Sequence, residues 1–210
     1  MKTLLLLSHG QFLNNDLAQI LNRSLVGWRV AHVTTAAKGT RTGMASFWKV
    51  VHEAFARKGC YVEDLDLDGK DENELRDILK KFNAVFVNGG NTSYLLKSIR
   101  KSGFDKVVRE LLPQGFVYMG ASAGAYVACP TIEAAAWNNK DKDTFGLTDL
   151  TAMNLVPFLL VAHYTPEFYD LLREKTAAIS YATRVLTDEQ AILVNDDEIK
   201  FLGGEEIKLI

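Results

Sequence analysis

The sequence predicts an α/β protein with a mainly parallel sheet, helices on both faces and a short C-terminal β meander. Three observations predict it. Short apolar runs rich in β-branched residues alternate with longer amphipathic stretches, the rhythm of strand–helix–strand units. Two Gly-containing turns, at 88–91 and 120–124, each follow an apolar strand and open a helix. The last forty residues switch to short apolar segments split by turn signals, which reads as antiparallel hairpins. The 210 residues suit one domain, 1–210.

Leu4 to Ser8 reads as a buried strand, and 14–25 as a helix with Leu17, Ile20, Leu21 and Leu25 at helical spacing. The run RVAHVTT at 29–35 is a second strand. Residues 42–58 form a second helix with Phe47, Val50, Val51, Ala54 and Phe55 on one face. Residues 61–67 alternate Val62, Leu65 and Leu67 with acidic residues, as a strand would. At 71–82, Leu75, Ile78 and Leu79 mark a helix, and Asp71 and Glu72 suit its first turn. The segment 84–87 (AVFV) is a strand, 92–102 a helix, and 105–112 a short helix stopped by Pro113. Residues 115–120 (GFVYMG) are another strand, and Ser122 begins another helix. After the polar stretch 131–151, FLLVAHY at 158–164 resumes as a strand and 167–182 as a helix. Residues 184–186, 191–194, 199–202 and 207–210 are short strands. In such a sheet, right-handed crossovers put the strand C-termini along the ligand-binding edge.

Composition narrows the function. Hydrophobic residues make up 48% and charged residues 24%, as in ordinary globular domains. Twenty-four basic residues against twenty-six acidic give a net charge of -2, no electrostatic footprint for nucleic acid or an anionic membrane. The apolar run 4–7 is shorter than the roughly 7–15 residues of a signal peptide, and no stretch reaches the ~20 apolar residues of a spanning helix. Two cysteines, Cys60 and Cys129, make no disulfide framework and read as thiols of a reducing compartment. The expectation is a cytoplasmic protein. No His/Cys/Asp spacing matches a metal-ligand set, so neither metal nor other cofactor is expected.

The strongest chemical signal is Gly120-Ala121-Ser122-Ala123-Gly124, a G-x-S-x-G pattern between strand and helix. A serine on so sharp a turn holds its Oγ out at the sheet edge, and side chains at 120 or 124 would strike the neighbouring helix and strand. Ser122 is thus the candidate nucleophile, and the Ala123 amide at the helix start a candidate oxyanion donor. Asn88-Gly89-Gly90-Asn91-Thr92 offers a second turn at the same edge, with Gly90 as the second donor. A serine hydroxyl needs a base. His163, at the end of a later strand, fits best; His9 and His32 compete, and His52 reads as helix surface. For a carboxylate to orient the imidazole, the span between serine and histidine offers Glu133, Asp141, Asp143 and Asp149. Glu133 is favoured because it follows the ordered-looking Cys129-Pro130-Thr131-Ile132.

Three segments, AVFVNGGNTSYLL (84–96), GASAGAYVACPTI (120–132) and NLVPFLLVAHYTPE (154–167), resemble the peptidase E and cyanophycinase family of serine peptidases. The resemblance implies a class I glutamine-amidotransferase-like fold with serine in place of cysteine at the elbow. It implies Ser122 as nucleophile, His163 as base, Gly90 and Ala123 amides as oxyanion hole, and metal-free hydrolysis of small peptides, including dipeptides with an N-terminal aspartate. Two departures stand out. Family members look to carry the acid in an Asn-Asp pair shortly after the P-T-I segment, where this chain reads Glu133-Ala134-Ala135-Ala136-Trp137-Asn138. Aspartate-specific members carry an Arg in a longer loop after the histidine, where this chain reads Tyr164-Thr165-Pro166-Glu167-Phe168-Tyr169 and then a more distant Arg173. Two other readings stay open: a peptide-binding homologue that lacks the acid, and a small-molecule esterase. The expected partner is a small peptide, and the protein a monomer or homodimer.

Overall fold

A computed structural model describes residues 2–40, 45–137 and 144–209, with the backbone alone at 45–47. The strands are β1 (Thr3–Leu7), β2 (Arg29–Val33), β3 (Tyr61–Leu65), β4 (Ala84–Val87), β5 (Val117–Ala121), β6 (Phe158–Val161), β7 (Ala182–Val185), β8 (Ala191–Asn195) and β9 (Glu198–Leu202). Seven of them form one sheet in the order β3-β2-β4-β5-β1-β8-β9. The pairs from β3 to β1 are parallel, and β8 and β9 close the edge antiparallel.

The helices are α1 (Leu17–Leu21), α2 (Ala45–Ala56), α3 (Glu72–Leu79), α4 (Thr92–Ser102), α5 (Phe104–Leu111), α6 (Ala123–Tyr126) and α7 (Tyr169–Ala177). Alternation along β1 assigns the two faces. Leu5 and Leu7 pack with Leu17, Leu21, Val51 and Phe55 of α1 and α2. Leu4 and Leu6 join the core that holds Leu75, Leu95, Ile99, Val107 and Tyr126 of α3 to α6. All four leucines are fully buried, each worth about 1.5–3 kcal/mol of burial. Helices therefore cover both faces, as the unbroken apolar runs of the central strands require.

Several elements differ from the sequence expectation. The predicted helix 14–25 is a 3-10 turn (Gly10–Asn14) followed by α1. Asp16 caps α1 through the amides of Ala18 and Gln19, and Asn22 ends it in the left-handed conformation, φ 49°. The helix after Ser122 lasts one turn. Beyond it the carbonyls of Val127, Ala128 and Cys129 accept from the amides of Met153, Leu155 and Asn154 instead of continuing a helix. The strand predicted at 158–164 ends at Val161 and pairs in parallel with β7 as a separate two-stranded sheet. The C-terminal meander thus reduces to β8 and β9; of the predicted strand 207–210, residue 210 lies outside the described residues and Ile207 makes a single bridge with Val185. The start of the predicted second helix, 42–44, lies outside the described residues, as do Asp141 and Asp143.

Candidate active site

Three adjacent parallel strands bring the site together. In register, Leu7 of β1 lies beside Ala121 of β5, and Gly120 of β5 beside Val87 of β4. The residues that follow each strand, Ser8-His9, Asn88-Gly89-Gly90 and Ser122, therefore emerge side by side at the C-terminal edge.

Ser122 occupies φ 51°, ψ −110°, a conformation that costs a residue with a Cβ on the order of 1–3 kcal/mol. Hydrogen bonds on both sides hold it there. Its amide donates to Leu7 O at 3.0 Å, and its carbonyl accepts from the amides of Ala125 and Tyr126 at 2.8 and 2.9 Å. The flanking glycines are steric requirements. A Cβ on Gly124 would lie 2.1 Å from Val87 O, and one on Gly120 would lie 2.3 Å from Gly124 O.

His163 lies two residues past β6, itself at positive φ, 61°. Its neighbours explain how it is held. The Ala162 amide donates to the Tyr126 hydroxyl at 3.0 Å, which ties this segment to the helix that starts at the elbow. The His163 amide donates to the hydroxyl of Ser8 at 2.7 Å. The imidazole Nε2 then lies 2.9 Å from Ser122 Oγ, and Nδ1 lies 2.5 Å from Asp188 Oδ1.

The carboxylate on this imidazole is Asp188, not Glu133. Both ring nitrogens are taken, one by Ser122 and one by Asp188. Glu133 sits in a 3-10 turn (Glu133–Ala136), its amide hydrogen-bonded to Thr131 Oγ1 at 3.2 Å. Asp149 pairs with Arg100 at 3.0 Å and accepts from the Thr151 amide. Asp188 instead projects from the turn between β7 and β8. The Gln190 side chain accepts from the Thr187 amide, and the Gln190 amide donates to Thr187 O. Backbone bonds from Leu186 N to Val161 O and from Tyr164 N to Leu186 O lay this turn against the histidine segment.

Burial pulls the Asp188 carboxyl upward, but the hydrogen bond and charge of His163, the charge of His9 and the Ser8 hydroxyl outweigh it and hold it below the ordinary 3.8. The carboxylate is therefore ionised at neutral pH. It accepts from Nδ1–H, which leaves Nε2 with the lone pair that accepts from the Ser122 hydroxyl. Ser8, fully buried, supports both partners: it accepts from the His163 amide and lies 3.2 Å from Asp188 Oδ1 and 3.4 Å from Leu186 O.

A cavity of about 200 Å³ opens over Ser122 and His163, lined also by His9, Asn88, Gly89 and Gly90. Gly90, at φ 144°, tolerates no side chain, since a Cβ would lie 2.4 Å from the Ala36 carbonyl. The Gly89 amide is occupied by Asn88 Oδ1 at 2.8 Å. Ala123 opens α6 directly after the serine. Of the competing histidines, His9 stands edge-on to His163, ring centroids 6.0 Å apart, while His32 and His52 both turn to Asp64. Burial pushes the Cys129 thiol up to about 12 and raises Cys60 as well, so neither is a reactive thiolate.

A parallel α/β sheet whose sharp strand-to-helix turn hydrogen-bonds its serine to a histidine defines a hydrolytic enzyme of α/β architecture. Comparison with known proteins narrows the class. The chain belongs to peptidase family S51, whose profile matches residues 4–202, and it is a peptidase. It is 32% identical over 154 residues to an uncharacterized peptidase of Pasteurella multocida, covering 72% of this chain and 74% of that one. It is 35% identical over 89 residues to a peptidase E of Nostoc, covering 42% of this chain and 35% of that protein. A crystal structure of a provisional peptidase E from Listeria monocytogenes superimposes with a TM-score of 0.83 at 27% identity, over 98% of this chain and 100% of that one. A peptidase from an actinobacterium, at a TM-score of 0.70 and 16% identity over 97% and 88% of the two chains, shares the fold.

Proposed function

We propose that the protein is a serine-type peptidase of short peptides. The observation that carries this reading is the unbroken chain of hydrogen bonds from Ser122 Oγ through His163 to Asp188, anchored on a strained elbow. In this mechanism His163 Nε2 takes the hydroxyl proton as Ser122 Oγ attacks the scissile carbonyl. Asp188 holds the tautomer and stabilises the imidazolium. The Gly90 and Ala123 amides receive the oxyanion. His163 then gives its proton to the leaving amine, and water, deprotonated by the same imidazole, releases the acid from the acyl-enzyme and restores the serine.

A cavity of about 200 Å³ accommodates one or two residues, which favours di- and tripeptides over folded proteins. The reading as a binding homologue without an acid loses its basis once Asp188 occupies Nδ1. No helix among the described residues is long and apolar enough to cross a membrane, and the two free cysteines fit a reducing compartment. The free cysteines are what supports a cytoplasmic setting in this reading.

The test is hydrolysis of a dipeptide series with varied first residue, N-terminal aspartate included, by wild type and Ser122→Ala. Loss of roughly 10⁴-fold or more in kcat is expected, with fluorophosphonate labelling of wild type and none of the variant. Turnover by Ser122→Ala at the wild-type rate would overturn the mechanism.

A further inference from the structure

On the face of the sheet covered by α2, two strands away from β5, three side chains from three elements converge. His32 of β2 and Asp64 of β3 are register neighbours in the parallel pair, so their side chains leave the sheet on the same face. His52 comes down from α2 between the core residues Val51 and Phe55. Asp64 Oδ1 lies 2.9 Å from His32 Nδ1 and 2.8 Å from His52 Nε2. One atom from each residue falls within 4.8 Å of the other two. The imidazoles meet edge to face, centroids 5.6 Å apart. None of the three takes part in the hydrolytic chemistry.

We propose that His32, His52 and Asp64 form a binding site for a divalent first-row transition ion, Zn²⁺ or its neighbours, which staples α2 to the β2–β3 edge. Two imidazoles and one carboxylate are the donor set such ions prefer over Mg²⁺ or Ca²⁺. Tetrahedral bonds of about 2.0–2.1 Å separate ligand atoms by about 3.3 Å, so side-chain shifts of a few tenths of an ångström open the two Asp64–imidazole separations, 2.9 and 2.8 Å, enough for an ion. The side chains of His52 and Asp64 are 39% and 45% exposed, which gives the ion an entry path and leaves water to complete its coordination.

The proton count balances without a redox partner. Each imidazole moves the proton it shares with Asp64 to its other ring nitrogen, and the ion takes the vacated lone pairs. For His32 that nitrogen is Nε2, which has no hydrogen-bond partner and whose ring lies 5.7 Å from Phe86. An imidazole ligand without an outer acceptor binds roughly 10–100-fold more weakly than a supported one. The site is therefore expected to bind in the micromolar range, below the affinity of a closed structural zinc centre.

The experiment uses the full chain, stripped with a chelator and dialysed. Co²⁺ titration is read by its visible d–d bands and Zn²⁺ titration by the thermal midpoint. The expected result is one equivalent bound with a rise in midpoint at about 100 µM Zn²⁺. His52→Ala and Asp64→Asn, both at half-exposed positions that preserve the fold, weaken binding at least tenfold, while His163→Ala leaves it intact. Absence of both signals in wild type, or unchanged binding in His52→Ala and Asp64→Asn, overturns the site. Neither readout depends on peptidase activity.

Discussion

The hydroxyl of Ser8 accepts the backbone amide of His163 at 2.7 Å. The two residues are 155 apart in sequence, and the contact fixes a histidine whose φ of 61° few residues adopt. The same hydroxyl reaches Asp188 Oδ1 at 3.2 Å. Ser8 lines up the imidazole and its carboxylate without being assigned any contact with substrate, which makes it a positioning residue. Ser8→Ala removes the acceptor of the part-buried His163 amide, at a cost of about 1–3 kcal/mol, and frees the imidazole to drift. The expected outcome is a lower thermal midpoint and a kcat reduced roughly 10–100-fold, with KM little changed. A fall in KM-dependent binding alone, with kcat intact, would show that Ser8 does not act through His163.

Asp188 and Glu133 make opposite predictions for steady-state kinetics. Asp188→Asn keeps the shape but presents the wrong hydrogen-bond polarity to Nδ1, and activity is expected to fall by roughly 10⁴-fold. Glu133→Gln touches neither ring nitrogen, and its kcat/KM should stay within about threefold of wild type, as surface changes away from a site do. The reverse ranking would return the acid to Glu133.

Much of this site was legible in the chain. The elbow around Ser122 announces itself because a strand, two glycines and a helix must coincide within a few residues. His163 follows from the need for a base on a later strand. Asp188 is not legible in the span between the serine and the histidine, because the chain supplies its carboxylate after both. The signal on offer is Thr187-Asp188-Glu189-Gln190, a polar turn between two short strands, the second of which, β8, pairs with β1. Asp64 was hidden for a different reason. It joins His32 and His52 only through parallel register and helix docking, which no linear spacing reports. The one-turn length of α6 was likewise invisible, since partners near residue 154 decide it.

The lowered pKa of Asp188 carries a sign for stability. A carboxylate that ionises more readily folded than unfolded contributes stability above its unfolded value, near 3.8. That contribution is lost as the pH falls through the still lower folded value. Wild type should therefore exceed Asp188→Asn in thermal midpoint at neutral pH, and the two should converge as the solution is acidified below about pH 4. A gap that stays constant from pH 7 to pH 3 would mean that the ionised pair with His163 contributes nothing to the fold.

Strain at the elbow predicts that one inactive variant gains stability. Ser122 holds φ 51°, ψ −110°, where a Cβ costs about 1–3 kcal/mol and glycine is at ease. Ser122→Gly removes that strain, set against about 0.5–1 kcal/mol of extra chain entropy. Ser122→Ala keeps the Cβ, hence the strain, and loses only the hydroxyl that faces His163. Both variants should be inactive, yet their midpoints should separate, with Ser122→Gly above Ser122→Ala by roughly 2–4 °C, the shift that about 1 kcal/mol produces at this chain length. Calorimetry of the pair decides the matter. If glycine proves the less stable of the two, the serine is not strained, and the backbone would adopt this turn without a catalytic reason to hold it.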